Sequence, residues 1–395
     1  MNSQTPPLLL TPHRGFFLLG ILVFVLSMAW WMAALVNPPT LLMPMTWLHA
    51  WLTMFGMLGP FISGFLFTAY SRWLGADPPG RVCWMSSLGL SVAGVLLFFI
   101  GAWAGLNWSL AGALCWLAAW LLIFGHLARA AVRGGGAPLH AGSMIAAVAL
   151  GLVAAGLLVA WLLGGNSLRA SQGLAVAFWG FLLSVYLVVA HRMIPFFAGR
   201  VLQPYPAYRP AWALLLALGL AWTHLSLLLA GQPEYLWAPD AGLAVLTGWL
   251  GWRWQWWRAG AHRLLAALFI AWLGLIAGLA ASAIQHGYLF ATGEWLALRL
   301  PEHLIGIGFF AGMIIAMGTR VTLGHSGRPL QMGPVAWWSL LGIGGSALLR
   351  GLAEFLPLRE ELMLASALLW VAAGLAWALR HAPMLILPRA DRRPG

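Results

Sequence analysis

Apolar stretches of about twenty residues follow one another along this chain and limit what it can fold into more than any other feature. A helix needs roughly 20 apolar residues to cross the hydrocarbon core of a bilayer, and about twelve such stretches fit into the 395 residues. They lie at about 16–36, 48–70, 83–105, 109–131, 142–163, 172–194, 211–231, 239–257, 263–286, 300–319, 333–353 and 361–380. Charged residues make up only 8% of the sequence, whereas about a quarter is usual in soluble domains. The sequence therefore predicts an all-α polytopic membrane protein with a single transmembrane domain over residues 1–395.

The basic residues indicate how these helices are oriented. All 21 are arginines, and they stand singly at the ends of apolar runs rather than in a patch, which argues against nucleic acid as a partner. With the first residue inside, 17 of the 21 fall on the cytoplasmic side, and the other four are Arg169, Arg299, Arg350 and Arg359. Because cytoplasmic loops carry an excess of basic residues, we expect both termini to be cytoplasmic.

A weak internal repeat accompanies this charge pattern. The second, sixth and tenth predicted helices each end in a polar residue and an arginine, followed by a glycine. The dipeptides are Ser71-Arg72, His191-Arg192 and Thr319-Arg320, and the glycines are Gly75, Gly199 and Gly324. Three four-helix repeats over residues 1–135, 136–260 and 261–395 would explain this spacing, as in the core subunits of haem–copper oxidases. The excess of arginine at cytoplasmic helix ends would also explain it, so both explanations stay open.

Four histidines fall in the outer half of the predicted bundle, namely His49, His224, His286 and His303. Ionisable side chains are costly inside a bilayer and therefore mark candidate functional sites, and histidine is a usual haem ligand. His49 precedes Arg72 by 23 residues and His303 precedes Arg320 by 17, which is a difference in depth of about 9 Å at 1.5 Å per residue. Pairing His224 with His303 fits the depth better than pairing His49 with His303. Hydrogen bonding of these histidines to backbone carbonyls is the structural alternative.

The remaining histidines and the cysteines narrow the kind of cofactor. His126, His140, His262 and His381 fall near the cytoplasmic face and have a simple explanation as interfacial polar residues. Cys83 and Cys115 are predicted at opposite ends of neighbouring helices and belong to no CxxCH motif, which excludes a covalently attached c-type haem. A haem in this bundle would therefore be a non-covalent haem b.

Several strings match one family in the right order between residues 12 and 330. They are PHRGFFL at 12–18, WLHAWLTMFG at 47–56, GFLFTA at 64–69, IPFF at 194–197 and TRVTLGHSGRP at 319–329. This set resembles the NnrS family, whose members are haem- and copper-containing membrane proteins linked to nitric oxide stress. The last string is the most specific of the set. The resemblance implies a haem protein of the bacterial inner membrane that relieves nitric oxide or nitrosative stress.

The chain departs from the family pattern at one site. Where the family has HAHEM, the chain keeps His49 but has Trp51 in place of the second histidine and Leu52 in place of the glutamate. A copper ion or an axial haem position that depends on those two side chains would be absent from this member. His191 adds a histidine beside the IPFF string.

These observations lead to one main hypothesis and one alternative. The main hypothesis is a b-type haem protein in which His303 is a ligand and His49 and His224 compete as its partner. Arg320 and His325, from the TRVTLGHSGRP string, are further candidate cofactor-binding residues. Arg320 would neutralise haem propionates that face the cytoplasm, and Arg299 would do so for an outward-facing haem. The expected partners are haem, membrane lipids and nitric oxide, and whether the protein is an enzyme stays open. The alternative is a twelve-helix transporter or export component without redox chemistry.

Overall fold

The computed structural model describes residues 6–297 and 299–391, and this part of the chain is almost entirely helical without a β-strand. Each apolar stretch predicted from the sequence forms a long helix. In chain order the helices are α1 (Pro12–Val36), α2 (Met45–Leu74), α3 (Arg81–Ala104), α4 (Leu106–Arg133), α5 (Pro138–Leu162), α6 (Ser167–Val201), α7 (Ala211–Leu229), α8 (Trp237–Arg253), α9 (Arg263–Thr292), α10 (Leu300–His325), α11 (Pro334–Leu352) and α12 (Arg359–Ile386). Short 3₁₀ turns occupy Pro7–Leu9, Pro233–Tyr235 and Trp256–Ala261. The prediction of an all-α fold is confirmed.

Eleven of these helices are long and apolar enough to cross a membrane, so the chain is a multi-pass membrane protein. The exception is α8, whose 17 residues correspond to about 25 Å of helix. That length is at the lower end of the range for a transmembrane helix. The total of twelve spans therefore stays a prediction.

The described residues form two compact units. One comprises residues 6–30, 37–185 and 382–391, and the other comprises 31–36, 186–297 and 299–381. In the first unit, α3 and α4 pack so closely that a Cβ atom on Gly101 would lie 2.2 Å from the backbone nitrogen of Ser109. Small residues let the backbones of membrane helices approach in this way. Cys83 and Cys115 belong to this helix pair and are free thiols, as expected.

A buried arginine joins the two ends of the chain within the first unit. Arg14, near the start of α1, is 2% exposed and donates hydrogen bonds to the carbonyl oxygens of Leu385 (3.1 Å) and Leu387 (2.9 Å). The last carbonyls of a helix have no partner inside the helix, and a cation at this end is also favoured by the helix dipole. Arg14 therefore holds the beginning of α1 against the end of α12.

The helices that carry the predicted repeat share an unusual local structure. Each contains a π-helical segment: Leu52–Leu58 in α2, Val176–Leu182 in α6 and Leu304–Ala311 in α10. Such segments are rare and are frequent at functional sites. They occur on the same three helices as the polar-Arg dipeptides. The glycines behave differently, because only Gly75 ends its helix in a left-handed conformation (φ 66°), while Gly199 and Gly324 lie inside theirs.

The polar residues of the three dipeptides also make tertiary hydrogen bonds. Ser71 pairs with the Nε2 atom of His126 on α4 (3.0 Å), and Thr319 accepts from the indole nitrogen of Trp377 on α12 (2.9 Å). Both partners lie two helices further along the chain. His191 instead bonds through Nε2 to the carbonyl oxygen of Pro210 (3.2 Å). Two of the three predicted four-helix repeats thus share this hydrogen bond, and the threefold repeat stays a prediction.

In the second unit, α9 crosses α10 at its π-helical segment. A Cβ atom on Gly274 would lie 2.6 Å from the backbone carbonyl carbon of Gly308, and one on Gly278 would lie 2.5 Å from the side chain of Ile305. The spacing of Gly274 and Gly278 is the small-xxx-small pattern of close helix contacts in membranes. The glycines therefore let α9 approach the widened part of α10.

This crossing generates a stability prediction. Gly274→Ala should lower the free energy of unfolding by about 1–3 kcal/mol, because the added methyl group overpacks against backbone that cannot move aside. Gly248→Ala, where a Cβ atom would meet nothing within 4 Å, serves as the control and should cause no loss, since alanine is the better helix former. Thermal unfolding of the two variants in detergent measures the difference. Equal melting temperatures would contradict the tight crossing.

Candidate functional site

Three helices of the second unit enclose a hydrogen-bonded network around the carboxylate of Asp240. His224 on α7 bonds through Nδ1 to Oδ1 of Asp240 on α8 at 2.6 Å. Ser282 on α9 donates to Oδ2 at 2.6 Å, and Nδ1 of His286, one turn further along α9, lies 3.4 Å from the same oxygen. Asp240 and His224 are each only 1% exposed. A buried carboxylate is thus held by three side chains from two neighbouring helices.

The hydrogen bonds determine where the protons lie in this network. The Nδ1 atom of His286 also contacts the carbonyl oxygen of Ser282 at 2.9 Å, and a carbonyl can only accept, so this nitrogen carries a proton. Because an ionised carboxylate likewise only accepts, the Nδ1 atom of His224 carries a proton as well. In the neutral form of each ring, the lone pair is therefore on Nε2. This is the tautomer in which a histidine ligates a metal through Nε2.

His303, the ligand that the sequence favoured most, has the same arrangement. It lies in the first turn of α10, as predicted, and its Nδ1 atom donates to the carbonyl oxygen of Arg299 at 2.7 Å. Its ring is half-buried. The structure thus places His224 and His303 in the same unit, each with a hydrogen bond at Nδ1.

Glu302 adds a second carboxylate to this region. It precedes His303 on α10 and lies close to His224 and His286. Its Oε1 atom lies 3.7 Å from the Arg299 guanidinium. The Oε2 atom is shielded from solvent and accepts no hydrogen bond from the described residues. The start of α10 therefore supplies a histidine and a partly satisfied carboxylate next to the Asp240 network.

His49 lies in the first unit, in the first turns of α2, and is half-buried. The two residues that replace the family's histidine and glutamate are core residues here. Trp51 is 2% exposed and stacks on Phe98 of α3 with ring centroids 3.9 Å apart, and Leu52 is 3% exposed. Neither side chain carries an atom that commonly ligates copper. Within the described residues, no three His, Cys, Asp or Glu side chains are grouped to hold a metal ion.

Arg320 and His325 lie at the opposite end of α10 from His303. Seventeen residues separate His303 from Arg320, which is about 26 Å along a helix. One haem cannot be ligated by His303 and also have its propionates bound by Arg320 over that distance. The guanidinium of Arg320 instead lies 3.8 Å from the centre of the Phe197 ring, and the half-buried His325 ends the helix. Within the second unit, the candidate residues thus lie either near Asp240 or around Arg320, and His49 lies in the first unit.

The comparison with known families agrees with the sequence strings. The family model described as NnrS protein matches residues 7–389, which is nearly the whole chain and includes all of the helices described above. The chain belongs to the NnrS family. No curated protein shows a significant match to it.

The sequence pointed to His224, His286 and His303 as candidates, but the carboxylates of Asp240 and Glu302 beside them were missed. Asp240 lies in the eighth apolar stretch and Glu302 at the start of the tenth, and an acidic residue inside a predicted transmembrane segment is itself a signal for a functional site. That signal was present for both residues. The partnership of His224, Asp240 and Ser282 could not be read from the sequence, because it depends on how three helices pack.

The network makes this NnrS-family protein sensitive to loss of Asp240. Asp240→Ala should lower the free energy of unfolding by about 2–4 kcal/mol, because the buried donors of His224 and Ser282 lose their acceptor and each unsatisfied donor costs about 1–3 kcal/mol. Asp391→Ala removes a carboxylate that pairs with Arg389 at the surface and should cost less than about 1 kcal/mol. Thermal unfolding of both purified variants tests this difference. An Asp240→Ala protein as stable as Asp391→Ala would show that the network contributes little.

Proposed function

We propose that this chain is a membrane-embedded b-type haem protein that relieves nitric oxide or nitrosative stress in bacteria. Membership of the NnrS family supports the link to nitric oxide, and the eleven membrane-crossing helices support a site inside the bilayer. The excess of arginine on one side supports the inner membrane as its location, with both termini in the cytoplasm.

The hydrogen bond between His224 and Asp240 is the observation that carries this proposal. Histidines that ligate metals nearly always donate their other ring N–H to a carboxylate or a backbone carbonyl, which fixes the ring orientation and the tautomer. His224 bonds to a carboxylate and His303 to a carbonyl. Two histidines held in this way suit haem iron, because haem needs only one or two histidine ligands from the protein and no cluster of three. His224 and His303 are therefore the proposed ligands.

The other residues of the region have defined roles in this proposal. Bound haem would supply an iron atom for nitric oxide chemistry, which would require one of the two histidines to be displaced. Asp240 accepts the hydrogen bond from Nδ1 of His224 and so keeps the proton on that nitrogen. Ser282 donates a second hydrogen bond to the other oxygen of the carboxylate. Arg299, whose side chain is mostly exposed beside Glu302, is the cation that outward-facing propionates would meet. His49 stays an alternative ligand from the first unit.

A transporter is the second candidate function, and the same network gives it some support. Buried carboxylates and histidines inside membrane helices also serve as proton relays in pumps and transporters. Asp240, His224 and His286 would provide such a relay without any cofactor. Haem binding separates the two functions, because a transporter of this kind has no Soret absorbance.

Ligand assignment is tested by three alanine variants of the purified chain. His224→Ala and His303→Ala should each remove most of the Soret absorbance or convert a six-coordinate spectrum to a five-coordinate one, because each removes a proposed axial ligand. His381→Ala is a matched control, since its Nδ1 atom also bonds the carbonyl four residues earlier, that of Trp377, but at the other end of the bundle. It should bind haem as the unmodified chain does.

The outcomes separate the assignment from the wider proposal. Wild-type haem content in both His224→Ala and His303→Ala would overturn the ligand pair while leaving a haem protein in place. Loss of haem in His49→Ala alone would move the site to the first unit. If the unmodified chain shows no Soret band after expression with sufficient haem supply, the haem proposal itself fails and the transporter is favoured.

A further inference from the structure

A cavity of about 740 Å³ opens near the cytoplasmic ends of α6 and α10 in the second unit, far along α10 from the Asp240 network. Its charged lining consists of Arg200, Arg263 and Arg320. Most of the remaining lining is apolar and includes Phe196, Phe197 and Leu330. No acidic side chain is among the described residues that line it. The cavity therefore combines several positive charges with an apolar wall.

The positive charges of this cavity are not neutralised inside the protein. None of the ion pairs formed by described residues involves Arg200, Arg263 or Arg320. Arg200 and Arg320 are close enough to repel each other electrostatically. Clustered cations in a cleft with low-dielectric walls create a strong local potential that attracts an anion.

Aromatic rings hold each arginine in place instead of an acid. The guanidinium of Arg320 lies 3.8 Å from the centre of the Phe197 ring, and that of Arg200 lies 5.1 Å from that of Phe196. Arg263 lies 5.6 Å from the ring of Trp337 on α11. Such contacts are favourable without cancelling the charge. Packing against these rings therefore fixes the positions of the guanidinium groups, and the cavity keeps its positive charge.

We propose that this cavity binds the phosphate headgroup of an anionic phospholipid, with an acyl chain against its apolar wall. Guanidinium groups suit phosphate because they donate two parallel hydrogen bonds to it, and basic pockets between membrane helices on the cytoplasmic side bind anionic headgroups. The apolar lining favours a lipid over a small soluble phosphate, which would leave that wall exposed to water. The IPFF and TRV strings supply Phe196, Phe197 and Arg320, so this role accounts for residues that the haem site does not use.

The test compares lipid binding by the full chain and a double variant. Arg200→Gln/Arg263→Gln removes two exposed arginines and leaves Arg320, so folding should be unaffected. Native mass spectrometry with cardiolipin should show binding about 25-fold weaker than in the unmodified chain, since each arginine near a membrane surface contributes roughly a factor of five. Arg81→Gln/Arg133→Gln, which removes two arginines outside the cavity, should bind cardiolipin normally. Phosphatidylcholine should bind weakly to all of these proteins.

Three results would overturn this assignment. Equal cardiolipin binding by both double variants would show that the cavity is not the lipid site. Stabilisation by inorganic phosphate as strong as that by cardiolipin, and lost in Arg200→Gln/Arg263→Gln, would assign the cavity to a soluble anion. A parallel loss of haem in that variant would assign it to haem propionates, while unchanged haem content keeps it separate from the proposed haem site.

Discussion

The helices of the second unit bury the carboxylate of Asp240, which needs hydrogen-bond donors from its neighbours. A charged side chain in a bilayer costs about 2.5–3.5 kcal/mol on insertion scales, and leaving it without donors inside a protein costs more still. His224, Ser282 and His286 meet this demand only when α7, α8 and α9 pack in one register. The arrangement of these three helices and the orientation of two histidine rings therefore depend on one carboxylate.

The same principle explains how the chain satisfies its other polar groups. Arg14 serves the carbonyls at the end of α12, and Trp377 donates to Thr319. Around the cavity lined by Arg200, Arg263 and Arg320 the pattern changes, because the three arginines pack on aromatic rings without an acid. None of the ion pairs of the described residues involves these arginines, which is why we propose a partner from outside the protein for them.

Much of the fold could be predicted because hydrophobic length is a local property of the sequence. All of the predicted apolar stretches form helices, and His303 lies in the first turn of α10 as expected. The π-helical segments were not predicted, since their residues are as apolar as the α-helical residues beside them. The pairing of His224 with Asp240 was also missed, because contacts between helices leave no periodic pattern. At Trp51 and Leu52, where the sequence departs from the resembled pattern, the structure shows that both side chains are buried in the core.

The central claim is that this helical bundle holds haem b through its histidines. The most direct test is the absorption spectrum of the pyridine haemochrome formed from the detergent-purified full chain, together with extraction of the pigment by acidified acetone. The account predicts the spectrum of haem b and complete extraction, because no CxxCH motif exists to attach the haem covalently. A protein without a haemochrome spectrum, or with pigment that stays on the chain after extraction, would contradict it.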